Sequence, residues 1–191
     1  MHNKHKQQTG RTLRRPSERK PLADDQIKAL LVAADVEWRG IILTGLNAGA
    51  RLLDVANLHW SNIDMDSRKI HFDLAKSPWQ IVVPMNTELH GYYASLTRPA
   101  DLATPVFSTC FKYAQEGRGR LAARFRWFQG KAGLKPVGFL SLRKTFVHAM
   151  KTRCIPERLV AQFLGHFDWQ NMPLPPSTIA DAVAHLPRRL P

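Results

Sequence analysis

The chain reads as mainly α with one small antiparallel sheet, an α+β domain. Apolar residues recur at three- and four-residue spacing over most of its length, and only the stretch from Ile63 to Val83 carries short strand-like segments broken by turn residues. There is no internal repeat and no glycine-rich phosphate loop, which sets aside solenoids and nucleotide-binding βαβ units. A length of 191 residues suffices for one domain with its own core and makes a second full domain a squeeze.

Residues 1–20 are expected to form a basic, disordered tail and residues 21–191 the domain. The tail holds Lys4, Lys6, Arg11, Arg14, Arg15, Arg19 and Lys20 against the single acid Glu18, with hardly any apolar residue to bury. Two readings of it stay open, an arm that orders along DNA and a solubilising terminus. His2 and His5 have no third ligand beside them, so no metal is expected there.

After Pro21, Ile27, Leu30, Leu31 and Ala34 repeat at helical spacing behind Asp24 and Asp25, acids suited to a helix start. A second helix is predicted from Glu37 through Thr44, then a turn over Gly45 to Gly49, then a third helix from Arg51 to Leu58. Ile63 to Arg68 reads as strand end and turn. Lys69 to Phe72 and Gln80 to Val83 read as strands, with Lys76 in the loop between them. Tyr92 and Tyr93 fit the apolar pattern of a helix after this hairpin. Leu121, Phe125 and Phe128 mark one face of a helix ending near Gly133. Ser141 is expected to cap the next helix, whose buried stripe is Leu142, Phe146 and Met150. Pro156 is expected at the first position of another, which Gly165 ends, and a final helix is expected from Ser177 to Leu186.

Charge narrows the partner. With 28 Lys and Arg against 15 Asp and Glu, the formal net charge is +13, so the partner is a polyanion. Double-stranded DNA leads, while RNA, the ribosome or an anionic membrane surface would satisfy the same charge. No apolar run approaches the span of a bilayer and the first twenty residues are too polar for a signal-peptide core, so a soluble, cytoplasmic, nucleoid-associated protein is expected. Cys110 and Cys154 have no paired spacing, and no disulfide framework, zinc site or other cofactor is expected. From Leu102 to Pro156 the only acid is Glu116, while Arg118, Arg120, Arg124, Arg126, Arg143 and Lys144 are among eleven basic residues. Such a segment can line a phosphate backbone, and Arg118, Arg120, Arg124 and Lys144 are candidate DNA contacts; the alternative is a solvated face. Most of its aromatics, Phe111, Tyr113, Phe125, Trp127 and Phe128, are expected in the core.

Three local sequences carry the functional reading. Leu43-Thr44-Gly45-Leu46-Asn47-Ala48-Gly49-Ala50-Arg51-Leu52-Leu53-Asp54 is followed by Leu58-His59-Trp60-Ser61-Asn62-Ile63-Asp64; downstream come Ser141-Leu142-Arg143-Lys144-Thr145-Phe146 and then Leu164-Gly165-His166. In that order, with Lys76 between the first two, they resemble the active-site boxes of the tyrosine recombinases, the phage integrase family, from about Pro21 to Leu186. The resemblance implies a catalytic-domain fold of that family and a catalytic set of Arg51, Lys76, Arg143 and His166. Arg51 and Arg143 would grip the scissile phosphate, which makes both DNA contacts too. Asp54 would orient its helix, and Lys76 would donate a proton to the leaving 5′ oxygen. The chemistry suits the residue types: a phosphodiester gains negative charge as it becomes five-coordinate, and two guanidinium forks stabilise that charge without a metal. Taken singly, Arg51 is equally a helix-surface partner of Asp54, Arg143 a groove residue, and His166 a helix-end residue.

The departures from the family pattern matter as much. Leu140 stands where the second box usually begins with histidine, and it can neither accept a proton nor bond phosphate. Lys144 replaces another common histidine. The last tyrosine is Tyr113, well before His166, and the stretch Phe167 to Pro176, with three prolines, stands where the nucleophile helix belongs. Ser177 and Thr178 lack an evident base and read as helix caps. The reading also expects no counterpart of the family's separate amino-terminal DNA-clamping domain, with only the basic tail in its place. Without a phenol no covalent phosphotyrosine forms to store the bond energy. The expectation is therefore a DNA-binding protein associated with DNA integration and recombination whose strand-cleavage site is degenerate. Two alternatives stay open: an active recombinase that takes its tyrosine from another subunit, and a basic RNA-binding or ribosome-associated protein. The partner set includes a full-length recombinase or a second copy of the chain. Removing Arg51 or Arg143 is expected to weaken DNA binding and leave the fold intact.

Overall fold

The computed structural model describes residues 20–73 and 80–165 together with Ala184. The predicted final helix, Ser177 to Leu186, lies outside them apart from Ala184. Three helices come first, α1 (Asp24–Ala33), α2 (Val36–Ala48) and α3 (Leu52–Ala56). Then β1 (Ile63–Asp64), β2 (Lys69–Asp73) and β3 (Gln80–Pro84) form an antiparallel sheet in the order β1-β2-β3. Five helices follow, α4 (Thr87–Ala94), α5 (Ser108–Gln115), α6 (Arg118–Lys131), α7 (Leu140–Lys151) and α8 (Glu157–Phe163). The mainly helical class with one small sheet is the class the sequence predicts.

The sheet follows its period-two pattern. Ile70 and Phe72 on β2 face the core with Ile81 and Val83 on β3, and the register pairs Ile70 with Val83 and Phe72 with Ile81. Its last pair joins Asp73 to Gln80, and the Asp73 carboxylate accepts from Asn62 Nδ2 at 3.2 Å and Gln80 Nε2 at 2.9 Å.

α2 is the central element. Every residue from Gly40 to Ala48 is buried, and α3, α4, α5 and α7 pack around it. Asp35 caps it by accepting from Trp38 N at 2.9 Å. In its first turn, the Glu37 carboxylate accepts from the backbone N–H groups of Thr109 and Cys110, both at 3.1 Å, and from the Ser108 hydroxyl, so one acid of α2 caps the start of α5.

Here the structure corrects the sequence reading. The predicted turn over Gly45 to Gly49 is mostly helix, for α2 runs through Ala48 and only Gly49 leaves it, with φ +63°. Gly45 serves close packing: a Cβ there would lie 2.8 Å from Phe139 Cζ at the start of α7. The third helix is shorter than predicted, with Arg51 at its cap position. Ser141 does not cap α7; it is the helix's second residue and its buried hydroxyl has no hydrogen-bond partner among the described residues. Pro156 stands one residue before α8, its carbonyl accepting from Leu159 N and Val160 N. Of the five aromatics assigned to the core, Phe125 and Phe128 are buried beside Trp38, Phe111 and Tyr113 are half-buried, and Trp127 is 47% exposed.

Gly40 marks the contact between α2 and α4. A Cβ at this position would fall 2.4 Å from the Tyr92 ring, which is restrained by its hydroxyl donating to Val36 O at 2.7 Å. Alanine in a helix interior gains about 1 kcal/mol over glycine, but overpacking a restrained ring costs roughly 1–3 kcal/mol. Gly40→Ala is therefore expected to destabilise the protein by about 1 kcal/mol or more, read as a lower urea midpoint with unchanged slope. An unchanged or raised midpoint would show that the helices can move apart freely.

Candidate functional site

The site is assembled from the ends of helices. Arg143 lies in the first turn of α7 and is only 7% exposed. Its Nη1 donates to Gly49 O at 2.9 Å, just past α2, and its Nη2 donates to Leu164 O at 2.6 Å, just past α8. Both acceptors sit where helix carbonyls lack partners within the helix and where the helix dipole is negative, so a cation is doubly favoured there. Gly49 turns in the left-handed region, and a Cβ on it would lie 2.7 Å from Phe146 Cδ1 on α7. Only glycine presents that carbonyl to Arg143 without displacing the helix that carries it.

Two residues beyond Gly49, Arg51 opens α3. Its side chain is half exposed and pairs with Asp54 at 3.7 Å. Burial, then the positive charge of Arg51, pulls Arg143 down to about 10, while Asp54 acts the other way. Arg143 still carries its charge at neutral pH. Arg51, Asp54 and Arg143 are therefore one electrostatic cluster, two cations to one acid. Lys144 follows on the exposed side of α7, and Leu140, at the start of that helix, is 41% exposed with an aliphatic side chain that can neither donate nor accept.

Other expected site residues lie apart or outside. Lys76 falls in 74–79 and His166 follows Gly165, both outside the described residues. Arg118 opens α6. Arg120 pairs with Glu116 and lies over the Tyr113 ring at 4.8 Å. Arg124 pairs with Asp35 at 3.7 Å and lies over the Trp127 ring at 4.2 Å. These two arginines engage neighbours on α5, α6 and the start of α2, whereas the Arg51–Arg143 cluster is built on α2, α3, α7 and α8. The basic segment thus divides into two groups.

The three tyrosines have other roles. Tyr92 donates to Val36 O, and Tyr93 shares a 2.9 Å hydrogen bond with Thr44 Oγ1. Burial pushes both phenols well above their ordinary range. Tyr113 is half-buried beneath Arg120.

Sequence reasoning missed the supports of this site. Asn47 Nδ2 donates to Glu88 Oε2 at 3.0 Å, and Asn86 Nδ2 donates to Asn47 Oδ1 at 3.0 Å. Asn86 also caps α4 by accepting from Leu89 N. This buried triad joins the end of α2 to the start of α4, two residues before Gly49. The cap was legible, since Asn before Thr-Glu-Leu is a helix-start pattern; its partnership with Asn47 was not. Among the described residues no group of three His, Cys, Asp or Glu could hold a metal, and no helix is long and apolar enough to cross a membrane.

Arg51 and Arg143 thus sit within electrostatic reach of one another at the ends of α2 and α8, in a helical domain with a small sheet. Residues 20–172 match the phage integrase family, and the chain belongs to it. No curated protein sequence matches the chain. Among solved structures, the integrase from mycobacterium phage Brujita is similar with a TM-score of 0.73 at 16% identity, over 94% of this chain and 62% of that one. XerA recombinase is similar with a TM-score of 0.61 at 22% identity, over 87% of this chain and 60% of that one. The lambda integrase catalytic core is similar with a TM-score of 0.52 at 18% identity, over 77% of this chain and 95% of that one. At these identities the likeness is one of fold. The chain spans about three fifths of the first two and nearly all of the catalytic core.

The burial of Arg143 corrects the expectation that it can be removed without touching the fold. Arg143→Ala leaves two buried carbonyls without their charged donor, and the expected loss is roughly 2–4 kcal/mol of stability. Arg51→Ala removes a half-exposed pair and is expected to cost under about 1 kcal/mol. Chemical denaturation of both variants checks this, and equal losses would contradict the division of roles.

Proposed function

We propose that this protein binds double-stranded DNA through a backbone phosphate held by Arg51 and Arg143, and that it does not cleave the strand with a tyrosine of its own. The observation that carries the reading is the convergence of those two arginines, one half exposed and one pinned by carbonyls. A buried, carbonyl-bound guanidinium beside a half-exposed one suits an anion that must be oriented as well as attracted. The net charge of +13 supports a polyanionic partner. Lys76 and His166 belong to the same proposed site by their place in the family's boxes. Residues 21–191 form the proposed DNA-binding unit and residues 1–20 a basic tail. The reading implies a cytoplasmic, nucleoid-associated protein of DNA integration and recombination, with a full-length recombinase or a second copy as a further partner.

The absence of cleavage rests on chemistry. No tyrosine follows Tyr113 in the sequence, Tyr92 and Tyr93 are hydrogen-bonded in the core, and Leu140 cannot move a proton. The full chain is expected to shift duplex DNA in gels, with affinity falling steeply as salt rises because each neutralised phosphate releases counterion. Sequence preference is expected to be weak. Arg51→Ala and Arg143→Lys are each expected to weaken binding, with a double variant that loses less than the sum. Summed losses would show that the two do not share a phosphate, and a flat salt dependence or preference for RNA would overturn the DNA assignment. With nicked suicide substrates no covalent adduct is expected. One mapped to Tyr92, Tyr93 or Tyr113 would restore the enzyme, and one formed only with a tyrosine-bearing relative would establish donation in trans.

A further inference from the structure

The outer side of α6 carries features that neither the core nor the Arg51–Arg143 cluster uses. Leu121, Phe125 and Phe128 point inward, and the opposite stripe, at helical spacing, is Ala123, Arg126, Trp127, Gly130 and Lys131, all exposed. Trp127 is 47% exposed, with Phe128 packed edge-on at 4.8 Å between centroids. Arg124 lies over its ring at 4.2 Å and is held there by Asp35, and the Lys131 ammonium is 5.1 Å from the ring centroid. Two cations thus lie over the indole, and a base that stacks on it takes the place of the more distant Lys131 ammonium. Arg126 and Lys131 have no ion-pair partner among the described residues, and a Cβ on Gly130 would meet nothing within 4 Å.

We infer that this face of α6 is a second DNA contact that takes an unpaired base on Trp127, with the neighbouring phosphates on Arg126 and Lys131. The indole is the one large apolar group on an otherwise small and cationic stripe, so charge favours a polyanion over an apolar protein surface. It has the two components that recur in single-strand binding, an aromatic face on which any base stacks and cations that follow the backbone. Bases stacked within a duplex cannot reach such a ring, so the surface selects strand ends, gaps or opened pairs. The inference rests on the proposed DNA-binding function for its setting, but its residues are separate from Arg51 and Arg143.

The test uses the full chain, a fluorescently labelled oligo-thymidine and a mixed-sequence duplex, with affinities read by anisotropy over a range of salt. Trp127→Ala is expected to weaken oligo-thymidine binding roughly five-fold or more, the loss of one stacked base, with duplex affinity nearly unchanged. Trp127→Phe is expected to keep most of the oligo-thymidine affinity. Lys131→Gln is expected to weaken binding and flatten its salt slope by about one phosphate. Oligo-thymidine is also expected to quench indole emission in the parent but far less in Trp127→Phe, a readout that stands even if Trp127→Ala folds poorly. Unchanged oligo-thymidine affinity in a folded Trp127→Ala, or equal quenching in parent and Trp127→Phe, would overturn the inference. Competition by poly-glutamate as strong per charge as by oligo-thymidine would do the same, showing a surface for any polyanion. Duplex binding weakened in the Arg51 and Arg143 variants, with oligo-thymidine affinity unchanged in a folded Trp127→Ala, would sink the α6 inference while leaving the phosphate site standing. Intact oligo-thymidine binding with no duplex binding would do the reverse.

Discussion

The buried guanidinium of Arg143, donating to the carbonyls of Gly49 and Leu164, is the interaction on which the site depends. It ties α7 to the ends of α2 and α8 and brings the three boxes of the sequence to one place. A buried cation is costly unless its donors are matched, and two helix-end carbonyls match them with acceptors that would otherwise lack partners. The same bonds make Arg143 a structural member, attached to the fold by the planar group that the sequence reading assigns to a phosphate. Arg51 is its complement, half exposed and paired with Asp54.

That junction in turn requires α2 to hold its place. Three glycines on this helix and its cap allow three close approaches, Gly40 to Tyr92, Gly45 to Phe139 and Gly49 to Phe146. Trp38 fills the other side against Phe125 and Phe128, and Glu37 fixes α5 by its N-terminal amides. The Asn47, Asn86 and Glu88 triad then sets where α4 begins. Gly45 and Asn47 lie within about one helical turn of the Arg143 acceptor on Gly49, and Glu37, Trp38 and Gly40 belong to the same helix, so packing along α2 bears on the geometry of the site.

The positive charge is distributed between two structures that differ in kind. At the helix ends it is buried and matched to backbone dipoles; along α6 it is exposed, interleaved with Tyr113 and Trp127, and partly answered by Asp35 and Glu116. The net charge of +13 does not distinguish them. The first gathers charge at a point, and the second spreads it over a surface.

Much of this was determined by the sequence alone. The apolar period placed the α1 stripe, the inward face of α6 and the strands within a residue or so, because burial of a repeating face is a local property of the pattern. The order of the boxes identified the arginines, and the lack of any tyrosine after Tyr113 is visible in the letters themselves. Only the tertiary structure decided that Gly45 continues a helix and packs against Phe139, that Ser141 caps nothing, and that Trp127 faces outward. It alone showed that Arg143 is held by carbonyls 94 and 21 residues away in sequence. The physical reason is one of range: periodicity reports what a residue does to its own helix, whereas a glycine's close contact and a guanidinium's acceptors are supplied by distant elements that no local pattern contains.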